Sequence, residues 1–257
     1  MRLTRHSTVG IFTVLVLCVI WYFAAGPFEW VDLARFPDPD QTWEALAQIS
    51  VSGYADATLL QHAAHSSWLV LMGFASAVAV GVPLGIAMGY SRRIEALVNP
   101  VFLLIRPIPP LAWIPLAIVW LGLGDAAKVM VIWFAAFVPA VINCYTGVRS
   151  IDEYLLEASD VLGIRRYAFF AEVVIPATLP AMFTGLRLSL QASWTTLVAA
   201  ELIGAVAGLG HVLTQASLDI YPAMILVAMV AVAVCGGLMT AVLDLIEKWA
   251  MPWWEKS

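Results

Sequence analysis

Apolar residues fill most of this chain in long blocks, and short polar stretches separate them. An α-helix rises 1.5 Å per residue, so about 20 apolar residues cross a hydrocarbon layer of about 30 Å. Six blocks are long enough, which predicts an all-α, polytopic membrane protein with six transmembrane helices. The predicted spans are residues 9–27, 66–90, 97–121, 127–148, 179–206 and 222–246.

Composition agrees with a single membrane domain covering residues 1–257. The chain is 62% hydrophobic and 12% charged, whereas a soluble domain has roughly 25% charged residues. The net charge of −5 and the lack of a basic cluster give no sign of a nucleic-acid partner. The three cysteines lie in apolar blocks, so we interpret them as packing residues rather than a disulfide framework.

Basic residues indicate the orientation in the membrane, because they concentrate in cytoplasmic segments. With the N-terminus inside, nine of them fall on the inner side and two on the outer side. We therefore expect residues 1–8 and 247–257 to be cytoplasmic and residues 28–65 to be periplasmic. The inner residues are Arg2, Arg5, Arg92, Arg93, Arg149, Arg165, Arg166, Lys248 and Lys256, and the outer ones are Arg35 and Lys128. The remaining two, Arg106 and Arg187, lie near the inner ends of spans.

The outer segment, residues 28–65, carries six carboxylates and one arginine, a net charge of −5. A short amphipathic helix is predicted there, with Asp40 as its N-cap. Such a surface repels a free anion, so we expect Asp38 and Asp40 to dock a partner protein. His62 and His65 are three residues apart, but without a third ligand they indicate ordinary surface or interface histidines rather than a metal site.

Gly81, Gly85 and Gly89 in the second span form a small-residue stripe. Such a stripe lets another helix approach closely. We favour packing within one subunit over a subunit interface.

The third span contains four prolines in nine residues, at positions 107, 109, 110 and 115. Each removes a backbone donor, so a straight helix is not expected. Irregular backbone in a membrane must be satisfied by protein or by a watery cavity. A broken helix beside a translocation path, with Arg106 at its cytoplasmic end, and a structural kink with Arg106 reaching the headgroups both remain open.

The fifth predicted span is the most polar. Gln191 and Thr195 lie four residues apart and share a helix face. Glu201 lies near the outer end of this span, and it either belongs to a pathway or gate or lies at a solvated helix end. The predicted substrate-pathway residues are Arg106, Gln191, Trp194, Thr195 and Glu201.

Charge is densest in the cytoplasmic loop of residues 149–176, which holds eight of the chain's 31 charged residues (13 basic and 18 acidic). Apolar residues recur at helical spacing on both sides of Gly163, so we predict two short amphipathic helices with a bend at that glycine. The second helix is expected to end at Pro176. Mixed charges favour a protein-docking surface over an element lying on anionic lipid.

This loop, "EASDVLGIRRYAFFAEVVIP", resembles the signature of ABC-importer permeases: Glu-Ala-Ala, three residues, Gly, nine residues, Ile-x-Leu-Pro. Here residues 157–159 are Glu-Ala-Ser, residue 163 is Gly and residues 173–176 are Val-Val-Ile-Pro. Ser159 in place of Ala, Val173 in place of Ile and Ile175 in place of Leu are mild departures. The proline run "RPIPPLAWIPLAIVWLGLG" is similar to the nitrate/sulfonate/taurine branch. The stretches "SWTTLVAAELIGAVAGLG" and "MPWW" are most similar to taurine permeases.

The resemblance implies the type I ABC importer permease fold, in which residues 149–178 form coupling helices seated in a separate ATPase subunit. Glu157 would face that subunit and Gly163 would make the bend. The expected coupling interface is Glu157, Ala158, Ser159, Gly163, Arg165, Arg166, Phe169 and Phe170.

The same resemblance implies a homodimer of this chain, two ATP-binding subunits, a periplasmic substrate-binding protein and a location in the bacterial inner membrane. The chain has no phosphate-binding glycine-lysine loop, so it is expected to be non-catalytic. No cofactor is expected in this chain, since ATP and Mg would be bound by the partner ATPase.

The implied substrate is taurine or a related alkanesulfonate, with nitrate, another small organic anion or a pyrimidine precursor left open. A secondary transporter working without an ATPase is the main rival class. An intramembrane enzyme is disfavoured, because the four histidines lie outside the spans and no H-E-x-x-H or G-x-S-x-G motif occurs.

Overall fold

The computed structural model describes residues 5–25, 36–152, 154–155 and 161–253, and no β-strand occurs within them. These residues also form a 3-10 turn, Pro110–Trp113, and a π-helical turn, Phe170–Val174. The helices are α1 (Arg5–Ala25), α2 (Pro39–Val51), α3 (Leu59–Tyr90), α4 (Arg92–Ile105), α5 (Ile114–Leu121), α6 (Asp125–Arg149), α7 (Arg166–Phe169), α8 (Ile175–Gly204), α9 (Leu209–Leu218) and α10 (Pro222–Ala250).

Four helical segments of the described chain are long and apolar enough to cross a membrane: Leu59–Tyr90, Asp125–Arg149, Tyr167–Gly204 and Pro222–Ala250. The pair Arg92–Ile105 and Pro110–Leu121 makes a fifth if it is taken as one bent span. Helix α1 coincides with the first predicted span. The predicted all-α, polytopic fold class is confirmed.

The chain divides into two compact units. Unit 1 comprises Met1–Ala64 and Val206–Val232, and unit 2 comprises His65–Ala205 and Ala233–Ser257. The core of unit 1 joins α2 to α9 and the start of α10, through Ala45, Ile49, Val212, Ala216, Ala223, Met224, Val227 and Ala228. One core of unit 2 joins α3, α4 and α6, through Ala77, Met88, Phe102, Ala136, Phe137 and Val141.

Helix α2 is capped by Asp38, not by Asp40 as predicted. The Asp38 Oδ1 atom accepts a hydrogen bond of 2.7 Å from the Gln41 backbone N–H. Pro39 suits the first helical position, because its fixed φ is helical and it has no N–H to satisfy. The aspartate before it therefore takes the cap position, and Asp40 lies exposed in the first turn.

The glycine stripe of α3 packs against α6 within unit 2, as favoured from the sequence. A Cβ atom added to Gly85 would lie 2.5 Å from the Val141 carbonyl oxygen, and one added to Gly89 would lie 2.6 Å from the Val148 Cβ atom. Both distances are below normal contact. The backbones of α3 and α6 can approach this closely only because side chains are absent here.

Gly85→Ala should therefore destabilise the protein by about 2 kcal/mol, because the methyl group would force the two backbones apart. Gly237→Ala is the matched control, since nothing lies within 4 Å of a Cβ at that helical position. The control should be neutral or slightly stabilising. Thermal unfolding of the purified protein measures both, and equal effects would contradict this packing.

Candidate functional sites

The predicted break in the third span is present, and its two halves are bent by 83°. Helix α4 ends at Ile105, and the backbone N–H of its C-cap residue Arg106 donates to the Phe102 carbonyl at 2.9 Å. The Arg106 side chain is exposed. After the break, Trp113 stacks on Phe134 of α6 with ring centroids 4.1 Å apart, and Ile114 is buried. The irregular backbone is thus held by aromatic packing on α6.

The predicted pathway residues of α8 lie on two different faces. Gln191 and Thr195 are exposed, and the Thr195 Oγ1 atom donates to the Gln191 carbonyl at 3.0 Å. Trp194 and Glu201 are buried, with 6% and 1% of their surfaces exposed. Helical geometry explains the split, because positions 191 and 195 share one stripe whereas 194 and 201 share another. The exposed pair is available to line a cavity, and the buried pair contacts protein.

Two buried side chains on α8 carry polar groups whose hydrogen bonding the sequence only partly indicated. The Glu201 Oε1 atom accepts a hydrogen bond of 2.9 Å from the Ser66 hydroxyl, so the carboxylate is not at a solvated helix end in this structure. The Trp194 indole N–H is buried and has no hydrogen-bond partner among the described residues. Trp194 therefore keeps a donor that an acceptor oxygen could use.

An ion cluster joins α8 to α10 in unit 2. The Arg187 Nε atom donates to Asp244 Oδ1 at 2.8 Å, and the same guanidinium pairs with Glu247. Glu247 is buried and Arg187 is partly buried. Sequence reasoning placed Arg187 near the inner end of a span but did not identify its partners. The signal was available, since ionisable residues in spans face protein and pair with one another.

His62 is a buried, hydrogen-bonded histidine rather than a surface one. Its Nε2 atom lies 2.9 Å from the Tyr54 carbonyl oxygen, and its Nδ1 atom accepts the Gly208 N–H at 3.1 Å. These bonds fix the neutral tautomer with the proton on Nε2. His65 instead lies 3.4 Å from Asp125, which also accepts from Lys128. Within the described residues no group of three metal-ligating side chains is assembled.

The loop of residues 149–176 is described only in part, and Glu157, Ala158 and Ser159 lie outside the described residues. Gly163 has a φ of 63°, the left-handed conformation that favours glycine, and Arg165 beyond it is exposed. The Phe170 ring contacts Tyr90 edge-to-face at 5.3 Å. The coupling role of these residues stays a prediction.

The expected end of the second loop helix at Pro176 is wrong. Helix α7, which carries Arg166 and Phe169, runs through the π-helical turn into α8, giving a continuous helical segment from Tyr167 to Gly204. Pro176 occupies the first turn of α8. Proline, which has no backbone N–H, is tolerated there because the π-helical turn just before it interrupts the regular i→i−4 hydrogen bonding.

These features define a class of protein: a polytopic helical membrane protein with a broken span and a charged loop that continues into a span. Comparison with known proteins supports this class. Residues 81–256 match the family described as "Binding-protein-dependent transport system inner membrane component". The chain belongs to this family. It is a non-catalytic, multi-pass subunit of the inner membrane that acts as the permease of an ABC importer.

Similar proteins support the assignment over nearly the whole chain. The taurine transport system permease protein TauC of Escherichia coli is 35% identical over 98% of this chain and 91% of its own length. SsuC of Bacillus subtilis, named as an aliphatic sulfonates transport permease, is 30% identical over 95% of this chain and 87% of its own. A structure of the MetNI methionine ABC transporter matches with a TM-score of 0.58 at 20% identity, covering 88% of this chain and 98% of that one.

Arg187→Met should destabilise the protein by about 3 kcal/mol, because it leaves the Asp244 and Glu247 carboxylates beside each other without a counter-charge. Adding Glu247→Gln to Arg187→Met should recover part of the loss. The exposed Arg93 provides the control, and Arg93→Met should change stability by less than about 0.5 kcal/mol. Thermal unfolding in detergent measures all three, and similar effects at Arg187 and Arg93 would exclude the cluster as a stabilising contact.

Proposed function

We propose that two copies of this chain form the permease of an ATP-driven importer that moves taurine or a related alkanesulfonate from the periplasm into the cytoplasm. The observation that carries the proposal is the 35% identity to a taurine permease over 98% of the chain. Similarity to a named sulfonate permease supports the same substrate class. The complex would also contain two ATP-binding subunits and a periplasmic substrate-binding protein.

The orientation follows from the basic residues, nine against two, which support cytoplasmic termini. This arrangement places the loop of residues 149–178 in the cytoplasm, where an ATP-binding subunit can reach it. Asp38 and Asp40 then lie on the periplasmic side. Their charge suits docking of a protein and opposes direct recruitment of a sulfonate anion.

Coupling would be mechanical in this account. ATP binding closes the ATPase dimer and moves the loops seated in it. Because Tyr167–Gly204 is one continuous helical segment, a displacement at Tyr167 reaches α8 directly. ATP hydrolysis then resets the inward-facing state.

Substrate transfer would use the exposed polar stripe of α8. Gln191 offers amide N–H groups, which hydrogen-bond sulfonate oxygens without holding them as tightly as a fixed charge would, and the Thr195 hydroxyl would join them once it releases the Gln191 carbonyl. Weak binding suits a permease, because the substrate must leave on the other side. Trp194 would add an indole N–H donor if α8 moves, and Arg106 would lie near the cytoplasmic exit.

Labelled taurine should accumulate in proteoliposomes that contain the full complex and taurine-loaded binding protein, and accumulation should require ATP on the ATPase side. An ion gradient alone should not replace ATP. Uptake driven by the gradient without an ATPase would favour a secondary transporter. ATP-driven uptake of nitrate in preference to taurine would change the substrate class while keeping the importer.

Glu157→Lys should uncouple ATP hydrolysis from transport, because a reversed charge at the ATPase interface disturbs the seating of the loop. Uptake should fall at least tenfold, by a rough estimate for a buried interface charge, while the complex still assembles. Asp152→Lys is the control, since it makes the same charge change in the loop outside the signature. Normal uptake by a correctly assembled Glu157→Lys complex would remove this residue from the coupling interface.

A further inference from the structure

Helix α9 ends in a Schellman motif with isoleucine at the position where glycine is usual. Asp219 is the C-cap, and Ile220 after it has a φ of 52°. The Tyr221 N–H donates to the Ala216 carbonyl at 2.8 Å, and the Ile220 N–H donates to the Ser217 carbonyl at 3.3 Å. These are the two hydrogen bonds of the motif, which requires a left-handed residue.

A β-branched residue in the left-handed region is a real outlier, whereas glycine adopts it at no steric cost. Burial could offset this strain, but the Ile220 side chain is 80% exposed and the neighbouring Leu218 is 72% exposed. Folding of this chain therefore gains nothing evident from isoleucine here. Strained residues kept without internal packing occur at functional sites, and this one presents an apolar side chain to its surroundings.

The turn that carries Ile220 is held firmly within unit 1. The Tyr54 hydroxyl donates to Asp219 Oδ2 at 2.5 Å, and the Tyr221 hydroxyl donates to Gln48 Oε1 at 3.2 Å. The two tyrosine rings meet edge-to-face at 6.3 Å. Burial and the hydrogen bond to Asp219 raise the pKa of Tyr54 above its ordinary value, so its hydroxyl stays a donor. The apolar side chain is thus preorganised for contact.

The surroundings of this apolar pair are acidic. Asp219 itself is exposed, and so is Asp56, two residues from Tyr54. The segment of residues 28–65 carries a net charge of −5. An apolar centre with a charged rim is the usual composition of a protein interface. Carboxylates disfavour contact with anionic phospholipid headgroups and favour a protein partner with basic groups.

We propose that Ile220, together with Leu218, is the apolar anchor with which unit 1 docks the periplasmic substrate-binding protein. The inference rests on the proposed function, which places this turn on the periplasmic side and requires such a partner. Docking covers the exposed isoleucine and brings basic groups of the binding protein to the carboxylates around it. The strain at Ile220 is then offset in the complex rather than in the free chain.

The test measures the affinity of the cognate binding protein for the complete importer in nanodiscs, together with the unfolding temperature of each variant. Ile220→Gly should weaken binding about tenfold, as truncation of an interface anchor does. It should also raise the unfolding temperature by about 2 °C, because glycine relieves the left-handed strain. Asparagine tolerates the left-handed conformation but is polar, so Ile220→Asn should weaken binding as well.

Leu97→Ser is the control, since Leu97 is 77% exposed and lies at the inner end of the third predicted span, outside the loop of residues 149–178. It should leave binding unchanged. Unchanged binding by Ile220→Gly overturns the proposal, and so does dissociation of the permease dimer, which would make a second copy the occupant. If the effect of Ile220→Gly on stability depends on the lipid composition of the nanodisc alone, the side chain contacts lipid, and the proposal is also overturned. ATP-driven taurine uptake by the wild-type complex decides the proposed function separately.

Discussion

A backbone N–H or C=O group that lacks a partner in hydrocarbon costs several kcal/mol, because no water replaces the lost hydrogen bond. This requirement makes long helices the means of crossing the membrane and confines irregular backbone to places where protein or water satisfies it. The break after Arg106 meets this requirement through backbone hydrogen bonds from Arg106 to Phe102, from Ile108 to Ile105 and from Ala112 to Pro109, while its prolines have no N–H to satisfy. Helices whose backbones are satisfied in this way associate through van der Waals packing, and the glycines of α3 allow it by letting α6 approach closely.

Polar side chains in the spans follow the same rule. Ser66 and Glu201 bond to each other, and Arg187 bonds to two carboxylates of α10. Gln191 and Thr195 are exposed on the other side of α8. The paired charges hold α8 and α10 together, whereas the exposed pair is the part of α8 that the proposed function assigns to the substrate.

The sequence predicted the helical class, the broken span and the glycine packing, because each depends on a local rule of hydropathy or stereochemistry. The prediction that Asp40 caps α2 was wrong, because Pro39 occupies the first helical position and Asp38 before it is the N-cap. The prediction of a helix end at Pro176 was also wrong, because the π-helical turn before this proline lets the helical segment continue through it. The partners of Arg187 were not predicted, since they lie on a helix distant in the chain. The strain at Ile220 was not predicted either, since it depends on a single φ angle.

The central claim is that motion of the cytoplasmic loop reaches α8 without a hinge at the π-helical turn. Spin labels at the exposed positions Tyr167 and Thr184, in a variant lacking the three native cysteines, test it by pulsed electron resonance on the full importer. Between the ATP-bound and nucleotide-free states, the Tyr167–Thr184 distance within one chain should stay constant. The Tyr167–Tyr167 distance between the two copies should change. A change in the first distance with none in the second would show that the π turn bends and would contradict the account.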